Sequence, residues 1–160
     1  MPEVRLATCT GRALDGTTYR LPRDLPAERT LVVVAFRQRQ QACVDRWIAL
    51  AAALGAAPTP LGASLPLRAA VVEVPVLGRR YLPARRLIDG GMATGIGDPR
   101  VLARTITVYT DPAGFRRRCG LGAGDEVRAL VVDREGAVSF HATGEPGPEH
   151  RVALAAALDP

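Results

Sequence analysis

Residues 31 to 36 read Leu-Val-Val-Val-Ala-Phe, six apolar residues without a polar break. A strand with one wet face alternates apolar and polar positions, so an unbroken run rich in β-branched residues predicts a strand covered on both faces. Such a strand belongs at the centre of a parallel sheet and needs helices above and below it. The next segment supplies one. From Gln41 to Leu54 the apolar residues Val44, Trp47, Ile48, Ala51 and Leu54 recur at spacings of three and four, which predicts a helix with one buried stripe. Gly55 is its natural stop. Trp47 lies on the stripe and is expected in the core.

The remaining elements follow from local signals. Asp15-Gly16 in "RALDGTTY" predicts a small hairpin, and "LPRDLPAERT" a connecting turn. A proline- and glycine-rich loop, residues 55 to 66, precedes a second strand, "AAVVEVPVL". Helical spacing returns around Tyr81, Leu82, Arg85 and Ile88, with Pro83 in the first turn, and "ATGIGDPR" reads as loop. A third strand, "RTITVYT", leads through Asp111-Pro112 into a short helix, "AGFRRRCGL". "VRALVVD", a turn at "REG" and "AVSFHATG" make a closing hairpin, followed by a helix from about Glu149 to Leu158. Strands alternating with helices and ending in a hairpin describe an α/β sandwich. No repeat or second domain is visible, so residues 1–160 form one domain with its core over about 10–158.

Composition narrows the function classes. The chain is 48% hydrophobic and 23% charged, which fits a folded domain. All 21 basic residues are arginine, with a net charge of +5, and they are scattered along the chain, as on a solvated basic surface. Two clusters, Arg79, Arg80, Arg85 and Arg86 and then Arg116 to Arg118, would form a patch if their helices met. An acidic protein or an anionic ligand suits such arginines. Aromatics at 4% leave little to stack bases, which argues against nucleic acid. The first ten residues lack a secretory pattern and no window nears the ~20 apolar residues of a membrane span, so a cytoplasmic location is expected. Cys9, Cys43 and Cys119 have no metal-site spacing, and with only His141 and His150 available neither a metal nor a cofactor is expected. The glycines of "GLGAGDE" and "GGMATGIGDP" lack the strand-loop-helix order and the lysine of a phosphate cradle, and read as turns. Asp89, Asp98, Asp111 and Asp133 stand at element ends, where carboxylates cap helices or close turns.

Three stretches, "LPRDLPAERTLVVVAF", "TITVYTDPAGFRRRCGL" and "LVVDREGAVSFHATGE", together resemble the thioredoxin-like superfamily in its TlpA-like and peroxiredoxin-like branch. The resemblance implies a mixed central sheet with helices on both faces and an N-terminal hairpin. It also locates the chemistry such proteins carry. The dithiol motif C-x-x-C of that family would begin at Gln41 with its partner at Val44, and the family's cis-proline would fall at Val127. The dithiol is absent. A peroxiredoxin-like site would use Cys43, its thiolate favoured by the helix dipole and by Arg37, Arg39 and Arg46. The threonine expected three residues earlier is Gln40, and the expected arginine, Arg128, stands one residue out of register, which turns its side chain to the other face unless a bulge intervenes. Cys119 is read as a packed residue, with a resolving role only if it approached Cys43, and Cys9 as part of a mobile terminus.

The preferred reading is thus a redox-inactive thioredoxin fold used for protein binding or assembly. Its contact surface would be Arg37, Arg39, Gln40, Gln41, Arg46 and Val127, at the carboxyl ends of the strands where ligands dock in open sheets. The mitochondrial factors that assist ATP synthase assembly resemble it in having the fold without the dithiol. The alternatives are a single-cysteine thiol peroxidase using Cys43 with Arg128, and anionic small-molecule binding.

Overall fold

The computed structural model describes residues 3–64, 66–78 and 98–159. The expected helix around Tyr81 to Ile88, with Arg79, Arg80, Arg85, Arg86 and Asp89, lies outside the described residues.

Among the described residues seven strands form one mixed sheet in the order β2-β1-β5-β4-β3-β6-β7. They are β1 (Cys9–Ala13), β2 (Thr18–Leu21), β3 (Ala27–Ala35), β4 (Leu67–Leu77), β5 (Ile106–Tyr109), β6 (Arg128–Val132) and β7 (Val138–Thr143). β3 is central, parallel to β4 and antiparallel to β6. Leu31, Val32, Val33 and Val34 have no solvent exposure, as the unbroken apolar run requires. The strand begins four residues before that run, because Ala27 to Thr30 also pair with β4 or β6 despite their polar members. The hairpin turns at Gly16, whose φ of +92° suits glycine.

Helices cover both faces. On one, α1 (Gln41–Ala53) and α4 (His150–Leu158) bury Val44, Trp47, Ile48, Ala51, Leu154 and Leu158 against Leu31, Val33, Ala129 and Val131. On the other, α3 (Pro112–Arg118) sets Phe115 among Val32, Val34, Val74, Ile106 and Leu130. A short helix, α2 (Pro99–Leu102), takes up the end of what the sequence reads as loop. Asp98 and Asp111 cap α2 and α3, accepting from the amides of Arg100 and Gly114, and Asp133 closes the β6–β7 turn. Among the described residues no helix is long and apolar enough to cross a membrane.

The N-terminal stretch is held rather than loose. Arg5 N–H donates to the Cys119 carbonyl at 3.0 Å and Leu6 N–H to the Gly136 carbonyl at 3.0 Å, while Cys9 opens β1. Gly120, at φ +69°, lets this stretch approach: a Cβ there would lie 2.5 Å from the Glu3 carbonyl oxygen. Gly120→Ala should therefore destabilise the fold by about 1–3 kcal/mol. Urea denaturation should show a lower midpoint at unchanged slope, and an unchanged midpoint would mean that residues 3–7 are not docked there.

Candidate functional site

β3 delivers the chain to Phe36 at the carboxyl edge of the sheet, where a 3₁₀ turn (Gln38–Gln40) starts α1. Gln40 holds this corner. Its Oε1 accepts from the amides of Phe36 (2.8 Å) and Arg37 (3.0 Å), and its Nε2 donates to the Asp125 carbonyl. Arg37 Nε reaches the Asp125 carboxylate at 2.7 Å, with Arg39 more distant at 3.9 Å. The Arg37 hydrogen bond holds the Asp125 carboxyl below its usual range. Arg46 Nε donates to Glu145 at 2.6 Å, and that bond likewise lowers the Glu145 carboxyl.

Cys43 points inward, into the core it shares with Trp47 and Val127. Its Sγ donates to the Gly144 carbonyl at 3.4 Å, and Trp47 Nε1 donates to the same oxygen at 2.7 Å. The Gly144 amide in turn donates to the Val127 carbonyl at 2.8 Å. Burial, reinforced by the Glu145 charge, pushes the Cys43 thiol up to about 11. This corrects the expectation of a thiolate favoured by arginines. Arg46 has its lowering influence outweighed, because the carboxylate that pairs with it also faces the sulfur.

Arg128 lies on the opposite face of the sheet from Cys43. Val127, Ala129 and Val131 pack in the Cys43 core whereas Leu130 and Val132 pack in the other, so strand parity carries Arg128 away. The only register shift in this pair comes later, between Val131 and Val132. The buried Arg128 guanidinium donates to the carbonyls of Gly122 (3.1 Å), Ala123 (3.2 Å), Gly124 (3.4 Å) and Glu126 (2.7 Å). Its role is to shape the loop that presents Asp125 to Arg37. Cys119 also belongs to the far core, which rules it out as a partner for Cys43.

Sequence reading missed a polar cluster on the α1 face. Glu73 on β4, 5% exposed, accepts from Thr105 Oγ1 at 3.0 Å and from Gln41 Nε2 at 3.3 Å. Gln41 also donates to Asp45 at 3.0 Å. Arg104 sits between Glu73 (3.5 Å) and Asp45 (3.6 Å), and among the described residues its buried Nε makes no hydrogen bond. Gln41, Asp45 and Arg104 of this cluster also line a cleft of about 650 Å³, together with Gln38, Ile48 and Arg100. One signal was present: a lone acid inside the apolar run "AAVVEVPVL". Among the described residues no group of His, Cys, Asp or Glu could hold a metal ion.

In a Cys9→Ser/Cys119→Ser background, iodoacetamide should modify Cys43 at a rate that climbs about tenfold per pH unit towards pH 11. A plateau near neutral pH would reveal a thiolate and overturn this geometry. Because the folded thiol sits above its ordinary 9.0, it contributes stability that is complete below about pH 9 and is lost as pH rises towards 11.

No protein-family model and no curated protein matches the chain. Solved structures do. The exposed lipoprotein thioredoxin of Streptococcus pneumoniae aligns over 95% of this chain and 98% of its own, with a TM-score of 0.57 and 15% identity. A secreted thiol-disulfide isomerase from Corynebacterium glutamicum aligns over 96% and 86%, with a TM-score of 0.58 and 19% identity. BsSco, of the Sco family of cytochrome c oxidase assembly proteins, aligns over 98% and 94%, with a TM-score of 0.58 and 11% identity. At such identities the likeness speaks for architecture, and with the sheet order and two-sided helix cover it gives the conclusion that the chain has the thioredoxin-like fold.

Proposed function

We propose that this protein binds a partner through the head of α1 and performs no dithiol chemistry there. The observation that carries the reading is Gln41, at the place where the dithiol would begin, with its amide bonded to Glu73 and Asp45. Val44, at the second dithiol position, is buried in the core, and Cys43 is a capped, protonated thiol. What remains at this edge is a polar surface. Arg37, Arg39 and Arg46 stand on it as exposed ion pairs with Asp125 and Glu145. Exposed pairs of this kind contribute only about 0–1 kcal/mol each, so an acidic partner can exchange its own carboxylates for Asp125 and Glu145 at little cost. BsSco, which shares the fold, belongs to the Sco family of cytochrome c oxidase assembly proteins and has a disulfide switch. That supports an assembly role as one use of the scaffold.

A second reading rests on the cleft. Its volume suits a small polar molecule, which the side-chain amide of Gln38 is placed to orient, whereas the Gln41 amide nitrogen is already committed to Glu73 and Asp45. Arg100 and Arg104 are both paired with carboxylates, so an anionic ligand would have to compete for them.

The deciding experiment compares two properties of the same protein. Oxidation of Cys43 by hydrogen peroxide, in the Cys9→Ser/Cys119→Ser background, should be slow and should not saturate. Binding of a polyglutamate peptide should weaken at least tenfold in Arg37→Ser/Arg39→Ser and fall with added salt. Fast, saturating sulfenic acid formation would replace the binding reading with a thiol peroxidase. Peptide binding indifferent to those arginines would remove the acidic partner.

A further inference from the structure

Two thiols lie together on the face of the sheet away from Cys43. Cys119 closes α3 with no solvent exposure, and its Sγ accepts from the Ala7 amide at 3.5 Å. Cys9 is the next residue on the same side of that extended stretch, and it packs against the core that contains Cys119. A second route through the structure leads to the same place. β1 pairs with β5 so that Arg12 faces Thr107 and Ala13 faces Ile106. Continued along the strand, that antiparallel register sets Cys9 level with Thr110, whose hydroxyl accepts from Arg118, the residue before Cys119, at 3.4 Å.

We propose that Cys9 and Cys119 join as a disulfide under oxidising conditions, stapling the start of β1 to the end of α3. Cys9 is the more exposed of the two and meets the oxidant first. Its thiolate attacks a small disulfide such as oxidised glutathione, forming a mixed disulfide and releasing one glutathione thiolate. The Cys119 thiolate then attacks the Cys9 sulfur and expels the second. Two protein thiols are oxidised, one glutathione disulfide is reduced to two thiols, and the two protons lost by the protein end on the glutathione. Burial raises both thiols, Cys9 to about 11, so the exchange is slow at neutral pH and accelerates as pH rises. The same basicity makes these sulfurs poor leaving groups, so the bond resists reduction once formed. It acts as a structural staple and not as an exchange catalyst. The inference is independent of the partner-binding reading, since Cys43 and the head of α1 take no part.

The test uses the full chain. After incubation with oxidised glutathione at about pH 8.5, alkylation and tryptic digestion without reductant, mass spectrometry should find residues 6–12 linked to residues 119–128, with Cys43 still a free thiol. The oxidised protein should melt about 5–10 °C higher than the reduced one. Cys9→Ser and Cys119→Ser should each abolish the link and the shift, and Cys43→Ser should keep both. If Cys119→Ser fails to fold, Cys9→Ser alone carries the comparison. A link involving Cys43, a stable glutathione adduct on Cys9 alone, or two unreacted thiols would each overturn the proposal.

Discussion

Everything in this molecule is arranged around a strand that cannot touch water. Leu31 to Val34 alternate between the two faces of the sheet, yet all four are fully buried. At roughly 1.5–3 kcal/mol for each large apolar side chain removed from water, β3 needs a neighbour on each edge and a helix layer on each face. β4 and β6 supply the edges, α1 with α4 one layer and α3 the other. The corner where β3 ends and α1 begins is then fixed by connectivity, because a right-handed crossover to the parallel strand β4 allows α1 only one face.

At that corner a single carbonyl settles the character of the site. Gly144 O accepts from both Cys43 and Trp47, so the β7–α4 connection lies on the first turns of α1 and holds the sulfur as a donor. A thiolate there would oppose the carbonyl dipole and the Glu145 carboxylate together. The dipole of α1 and the guanidinium of Arg46 favour the anion, but burial opposes it, and burial is the largest influence on this thiol. Position at the head of a helix therefore does not by itself make a cysteine reactive.

Local pattern made α1 legible almost to the residue, since the apolar spacing from Val44 to Leu54 and the glycine after it are contained in the helix itself. The face of Arg128 was also legible, because parity along a strand needs only counting. The environment of Cys43 was not. Its acceptor and its opposing charge come from residues 144 and 145, a hundred positions away, and no local pattern brings them in. Cys9 was misplaced for the same reason: the stretch before β1 is ordered by Cys119 and Gly136, not by its own sequence. Glu73 differs from these. An acid within an apolar run announced a buried charge, and only its partners Gln41, Thr105 and Arg104 required the fold.

That buried acid carries an argument about purpose. A buried ion pair gives little net stability, since desolvating both charges roughly cancels their attraction, and apolar residues of similar volume often do as well or better. Glu73 and Arg104 are held at 3.5 Å, longer than a good hydrogen bond, with the Arg104 Nε left without one among the described residues. A cluster selected for stability alone would be tighter or would be apolar, as the Leu31 to Val34 face is. The same half of the α1 face that could have continued the dry core instead presents amides and charges beneath an open cleft. Polarity kept beneath a cleft in place of a drier core is what the proposed recognition at the head of α1 would use.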